Sequence, residues 1–221
     1  AASDVYKRQH LDCPTLQLAN HHGLMIAGEA ALSNWDAGMD MYIYGKLGNL
    51  IMTKEGINVL MTNLTGKVPP ILQRLDYIRF NGEAAGYLHD LTLTGLFHTG
   101  AGMVKTDVMM SIDEQSMSRT YSGSVASADL DLGKLLNQEK KFGKVDFNVE
   151  LKGFNYKNRY PESYIKGIIS SFEYSQYQYE NIMLDGVYKD GGFNGRLSMD
   201  DANGSVQIDG NFNVAKTIPD F

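Results

Sequence analysis

The sequence predicts an all-β protein with a few short helices, an antiparallel sheet that grows by added strands. Three observations lead there. From Gly23 to the end of the chain, short runs of alternating apolar and polar residues recur with Gly, Asn or Asp between them, the pattern of many antiparallel strands. Helical spacing is confined to three brief stretches, too few to roof a dozen strands. No regular repeat length emerges, which disfavours a fixed-period solenoid.

The elements follow in chain order. Residues 4–9, "DVYKRQ", read as the translation of a common transposon-based sequencing adaptor, so 1–9 are expected to be an artefact and the protein proper to begin near His10. In "TKEGINVLMTNL", near 53–64, Ile57, Leu60, Met61 and Leu64 stand at helical spacing behind Thr53 as N-cap. A second helix near 69–76 opens with Pro69 and Pro70, where a first turn tolerates proline. Strands follow in "DLTLTGLF" at 90–97 and "MVKTDVMMSI" at 103–112. "SADLDLGKLLNQEKK" predicts a third helix near 129–138, with Ser127 or Asp129 as its cap.

The alternation is cleanest in "GKVDFNVELKGF", residues 143–154. Val145, Phe147, Val149 and Leu151 share one side; Asp146, Asn148, Glu150 and Lys152 share the other. Asp190-Gly191-Gly192 turns the strand "NIMLDGVY" into the strand from Phe193. Asn203-Gly204, read as a tight type I′ turn, joins Leu197 and Met199 on one arm to Val206 and Ile208 on the next.

Composition narrows the function. Apolar residues make up 43% of 221, enough for a substantial buried surface. Lys and Arg total 20 against 26 Asp and Glu, with no basic cluster interleaved with aromatics, so nucleic acid is not an expected partner. The single cysteine, Cys13, excludes an internal disulfide and a cysteine zinc cage. The longest apolar stretch, 23–35, is interrupted by Glu29 and Asn34, short of the roughly 20 residues a helical span requires.

A sheet with one apolar face hides it under a second sheet, under helices or by closing into a barrel; otherwise it curls and faces a ligand. The inward candidates are aliphatic and rich in methionine, with Met103 or Met109, Met110, Met183 and Met199 among eleven. Such side chains suit an adaptable surface. Composition alone favours a sandwich core for them, and nothing internal to the alternation overturns that.

Three stretches together resemble the TamB and AsmA-like family of bacterial envelope proteins. They are "YIRFNGEAAGYLHDLTLTGLFHTGAGMVKTDVMM", "ADLDLGKLL" and "GKVDFNVELKG". Phe80, Gly82, Gly86, Asp90, Gly95 and the "TGAG" turn fit the family's strand phrase, and Asp131 to Leu136 resemble its short leucine-rich helix before a strand that opens and ends in Gly. The resemblance runs from about Gly23 to Phe221. It implies an elongated, curved half-pipe with an apolar concave face, of which residues 10–221 are one continuous fragment. It further implies a periplasmic location, inner-membrane anchorage of the full-length protein, phospholipid acyl chains as guests and an outer-membrane barrel-assembly protein as a partner of the full-length chain. No cofactor or catalytic motif carries over.

Exposing a lipid methylene to water costs about 0.8 kcal/mol, so a two-tailed lipid of about thirty methylenes needs on the order of 20 kcal/mol of shielding. The expected groove residues are Leu91, Leu93, Val145, Phe147, Val149, Leu151, Leu197, Met199, Val206 and Ile208.

Enzyme chemistry is not expected. His21 and His22 are adjacent and would point opposite ways on a strand; His89 beside Asp90 lacks a serine nucleophile motif. Asp129 with Asp131, and Asp200 with Asp201, suit turns and caps better than glycoside hydrolysis. "TGAG" and "DGGFNG" lack the Lys-Ser/Thr of a phosphate loop. Tyr174, Tyr177, Tyr179 and Tyr188 are expected to pack across strands, and Trp35 to pack as well. Two other readings remain: a structural or chaperone module offering its edges to nascent outer-membrane strands, and a β-sandwich or β-helix carbohydrate-active enzyme.

Overall fold

The computed structural model describes residues 10–113, 115–116, 118–155 and 162–213; the suspected adaptor, residues 1–9, lies outside them, as does Val214. Twelve strands form one antiparallel sheet: β1 (His10–Ala19), β2 (Leu24–Ser33), β3 (Tyr42–Thr53), β4 (Tyr77–Tyr87), β5 (Asp90–Thr99), β6 (Gly102–Ile112), β7 (Arg119–Asp131), β8 (Phe142–Asn155), β9 (Glu162–Tyr174), β10 (Tyr177–Lys189), β11 (Gly192–Asp201) and β12 (Gly204–Asn213). Their order in space is their order in sequence, and the sheet is not closed into a barrel, so β1 and β12 are its edges.

Bulges and left-handed glycines bend this sheet. The register slips between Cys13 and Leu16, between Leu47 and Leu50, and between Ser127 and Leu130; each slip bends its strand and increases its twist. Gly123 takes φ 139°, and a methyl group there would fall 2.0 Å from the Asp107 carbonyl oxygen, so only glycine permits this approach of β7 to β6.

The three helices are α1 (Lys54–Thr65), α2 (Pro70–Gln73) and α3 (Leu132–Leu136). α1 and α2 fill the connection from β3 to β4 and α3 that from β7 to β8, which places all three at the same end of the strands. Thr53 caps α1, its hydroxyl accepting from the Gly56 N–H at 3.3 Å, and Gly66 ends it at φ 75°. α3 corrects the sequence expectation. Its cap is Asp131, whose carboxylate accepts from the Lys134 N–H at 2.8 Å, while Ser127 and Asp129 remain in β7. Asp129 is held by the bulge at φ 54° and pairs with Lys144 at 2.9 Å.

The helices and the adjoining strand ends make the main buried core. Ile57 of α1, Leu75, Ile78, Ala101, Leu130, Leu135 of α3 and Val145 are buried together, with Phe97, Phe147 and Phe172 packed around them. Polar ties lock this end. Lys134 donates to the Asp76 carboxylate at 2.6 Å and to the Gly100 carbonyl at 3.0 Å. The Arg74 guanidinium donates to the Leu135 carbonyl at the exit of α3. Every part of Asp131-Leu132-Gly133-Lys134-Leu135 is thus in use: cap, packing, close backbone approach, ion pair and core.

The turns are partly as expected. Asp190 and Gly191 both take positive φ, 51° and 77°, as a type I′ hairpin requires; Ser175 and Gln176 do the same between β9 and β10, at 52° and 69°. The β11–β12 hairpin exists, but its loop is Ala202-Asn203, with Gly204 already paired to Asp201. Asn203 is absent from the positive-φ residues. The turn is held instead by the Asp201 carboxylate, which accepts from the N–H groups of Asn203 and Gly204 at 2.8 and 3.2 Å.

Candidate functional site

Pairing register decides which side chains share a face, because partners directly opposite in an antiparallel sheet point the same way. From Phe147 the register leads through Ser127, Val104, Phe97, Phe80, Leu50 and Ile26 to Leu18 on β1. In the other direction it leads through Ile169, Ile182 and Met199 to Val206 on β12. A row of predominantly apolar side chains therefore crosses all twelve strands. Two residues along, Val149 lies in a parallel row with Val125, Leu184, Leu197 and Ile208.

All ten residues singled out from the sequence lie on this one face. Phe147, Met199 and Val206 share the first row; Val149, Leu197 and Ile208 share the second. Leu93 and Leu151 belong to the next row, linked by Val108 and Gly123. Leu91 stands in a fourth, beside Met110 and Tyr121. Val145 sits apart from these. It is 4% exposed in the core under α3 and is closed to any guest.

The methionines divide. Met110 and Met199 lie on the apolar face, whereas Met103, Met109 and Met183 lie on the opposite face, since Val104, Val108 and Ile182 take the inward places. The doublet Met109-Met110 makes both alternations plausible in sequence, and only the register separates them. Trp35, expected to pack, is 48% exposed in the β2–β3 connection.

Apolar rings also occupy part of the face. Phe80 packs on Phe97 at 4.5 Å between ring centres and covers Gly82 and Gly95, which have no side chain of their own. Near the helical end Phe142, Phe172, Tyr174, Tyr177 and Tyr179 cluster, Tyr177 and Tyr179 at 4.6 Å and Phe142 and Tyr174 at 5.4 Å. Tyr121 hydrogen-bonds Ser163 across to β9. That bond escaped sequence reasoning, because the two residues are 42 positions apart and nothing local links them.

The opposite face carries the exposed Met103, Met109, Met183 and Ile168 among charges that alternate in sign across the strands. Glu29, Lys46 and Glu83 lie in one cross-strand row, and Glu150, Lys166, Asp185, Arg196 and Asp209 in another. Lys166 meets Asp185 at 3.6 Å and Arg196 meets Asp209 at 3.2 Å. The Tyr164 hydroxyl donates to Asp185 at 2.7 Å, which holds that carboxyl below its ordinary range and raises the phenol. Depressions lie on this side, one bounded by Met109, Ser122, Lys152 and Tyr164. Leu151 is the one groove candidate lining any of those described.

The histidines do not converge. His22 meets Glu55 at 2.8 Å, and His89 bonds the Met39 carbonyl at 2.9 Å while stacking on Tyr87 at 5.4 Å. Among the described residues no group of three His, Cys, Asp or Glu side chains could hold a metal ion, and no helix is long and apolar enough to cross a membrane. No family model matches the chain, and no curated protein or solved structure matches it.

Proposed function

We propose that the apolar face is the floor of an open groove that shields lipid acyl chains, as part of a longer periplasmic protein carrying phospholipid between the inner and outer membranes of a Gram-negative envelope. One observation carries the reading. One predominantly apolar row crosses all twelve strands on one face, with shorter apolar rows beside it, and among the described residues strands pack on their sequence neighbours, with helices at one end and no second sheet opposite.

The physical fit is direct. Twelve strands leave eleven gaps of about 4.8 Å each, a floor about 50 Å long measured across the strands. A chain of methylenes on such a floor is removed from water without any specific contact, so it can slide. Phe147, Val149, Leu184, Leu197 and Met199 form its part on β8, β10 and β11. The helical core at one end of the strands closes that flank and leaves the other open to a polar headgroup.

Lipid mass spectrometry after purification under native conditions tests this. The native chain is expected to carry phospholipid, and Val149→Asp with Leu197→Asp to lose it while keeping a strand-rich circular dichroism spectrum. A native chain free of lipid, or charged variants that retain it, would count against a lipid floor.

A further inference from the structure

Register places a single cation of the described strands on the apolar face. Lys46, Lys105, Lys152, Lys166 and Arg196 fall on the opposite face, as do the other basic residues of these strands except Arg119, which opens β7. Arg119 pairs with Ile112 of β6 and Asn155 of β8, two residues outward from the row of Met110, Tyr121 and Gly153. It is exposed. Its guanidinium has no hydrogen-bond or ion-pair partner among the described residues, and the same holds for the Asn155 carboxamide. Residues directly opposite in an antiparallel pair stand about 5 Å apart at Cβ, so the two donors project side by side from the open flank.

Inward of this pair the face changes from polar to apolar within one row. The Tyr121 ring lies over Gly153, and its hydroxyl hydrogen-bonds Ser163, which is 8% exposed. A phenol is apolar in its ring and polar at its tip, as such a boundary requires. Leu151, Val149 and Phe147 follow along β8 until the helical core begins at Val145. Gly153 to Phe147 is about 20 Å of strand at ~3.3 Å per residue. The acyl chains of one leaflet need about 15 Å, half of a bilayer core about 30 Å thick. Tails lying along β8 with their glycerol over Tyr121 therefore bring a headgroup phosphate to Arg119, whose planar fork of N–H donors matches two phosphate oxygens.

We infer that Arg119, with Asn155 beside it, is a binding station for the phosphate of a phospholipid at the open flank, the acyl chains lying along β7, β8 and β9 toward the helical core. The inference rests on the lipid-floor reading and adds to it a place and a direction for the guest. The chains make no specific contact and can slide; the phosphate is the part that is held.

Equilibrium binding of two lipids to the full chain tests it: phosphatidylglycerol and the diacylglycerol with the same fluorescent tails. The native chain should bind phosphatidylglycerol about tenfold more tightly, the worth of a charge-assisted hydrogen bond, a comparison that needs no variant to fold. Arg119→Gln, with an unchanged circular dichroism spectrum, should bring phosphatidylglycerol down to the level of diacylglycerol and leave diacylglycerol as it was. Arg119→Lys should recover part of the difference. Lys152→Gln, which removes an ammonium from the opposite face, should alter neither lipid, and inorganic phosphate in millimolar excess should not compete. Failure of both lipids to bind would remove the floor and the station together. Equal native affinity for the two, or an Arg119→Gln chain that loses both alike, would overturn the station and leave the floor standing. Displacement of phosphatidylglycerol by inorganic phosphate would assign Arg119 to a free anion and overturn the headgroup.

Discussion

The ring of Phe80 occupies the space that a side chain on Gly95 would need: a methyl group there would lie 2.5 Å from the ring. Bare glycines on β4 and β5 and the ring above them are one packing unit, and Phe80 is 5% exposed within it. Phe80→Ala should cost about 3–5 kcal/mol and Gly95→Val about 1–3 kcal/mol through overpacking. Urea unfolding checks both. In the double variant the clash with the ring is gone while that with the Asn81 carbonyl oxygen, 2.7 Å from such a methyl group, remains, so the combined loss should fall short of the sum by the ring's share alone. Strict additivity would show that ring and glycine are not coupled.

Removing the Asp131 carboxylate should release the first turn of α3. Asp131→Ala is expected to cost about 1 kcal/mol, the usual worth of an N-cap. Lys144→Ala, which breaks only the exposed ion pair with Asp129 and leaves that residue's φ 54° backbone alone, should cost less. Thermal unfolding of the two variants side by side distinguishes them, and equal losses would place the cap elsewhere.

Acid should weaken the fold from the carboxylates inward. The Lys134 ammonium, by hydrogen bond and by charge, holds Asp76 below the ordinary carboxylate range. Backbone N–H of Asn203 and the Tyr177 hydroxyl do the same for Asp201. For such groups the unfolded chain binds the proton more tightly, so their contribution is complete above the ordinary value of about 3.9 and is lost as pH falls through the lower folded values. Urea midpoints should therefore be flat from neutral pH to about pH 5 and drop below about pH 4. Lys134→Met should make that drop shallower. Asp76 is solvent-exposed, so added salt should reduce the difference.

Reversing polarity on the two faces should have unequal effects. Arg196→Ala breaks an exposed pair with Asp209 and should change stability by less than about 1 kcal/mol. Ile182→Asp places a carboxylate where the side chain is 8% exposed, and should cost more than about 3 kcal/mol. Similar losses would mean that the sheet does not distinguish its faces energetically.

Much of this architecture is legible in the sequence, for a definite reason. In Val145, Phe147, Val149 and Leu151 the alternation names a face without any knowledge of neighbouring strands, and Thr53 and Pro70 mark helix starts through local chemistry alone. Legibility stops where position depends on register. Asp129 looks like a cap as much as Asp131 does until the β7 bulge decides between them. Met109 and Met110 can each be turned inward until Val108 is paired with Leu93. The placement of Val145 in the helical core depends on α3 folding back over β8. Asn203-Gly204 suggested the wrong turn residues because the Asp201 side chain holds the loop one position earlier than the dipeptide rule implies.

The most direct measurement of the central claim is photo-crosslinking of a radiolabelled phospholipid to single benzophenone side chains on the two faces of the same strands. Val149 and Leu184 lie on the apolar face, Glu150 and Asp185 one residue away on the polar face. A lipid floor predicts strong labelling at 149 and 184 and background labelling at 150 and 185. Equal labelling on both faces, or labelling confined to 150 and 185, would contradict it.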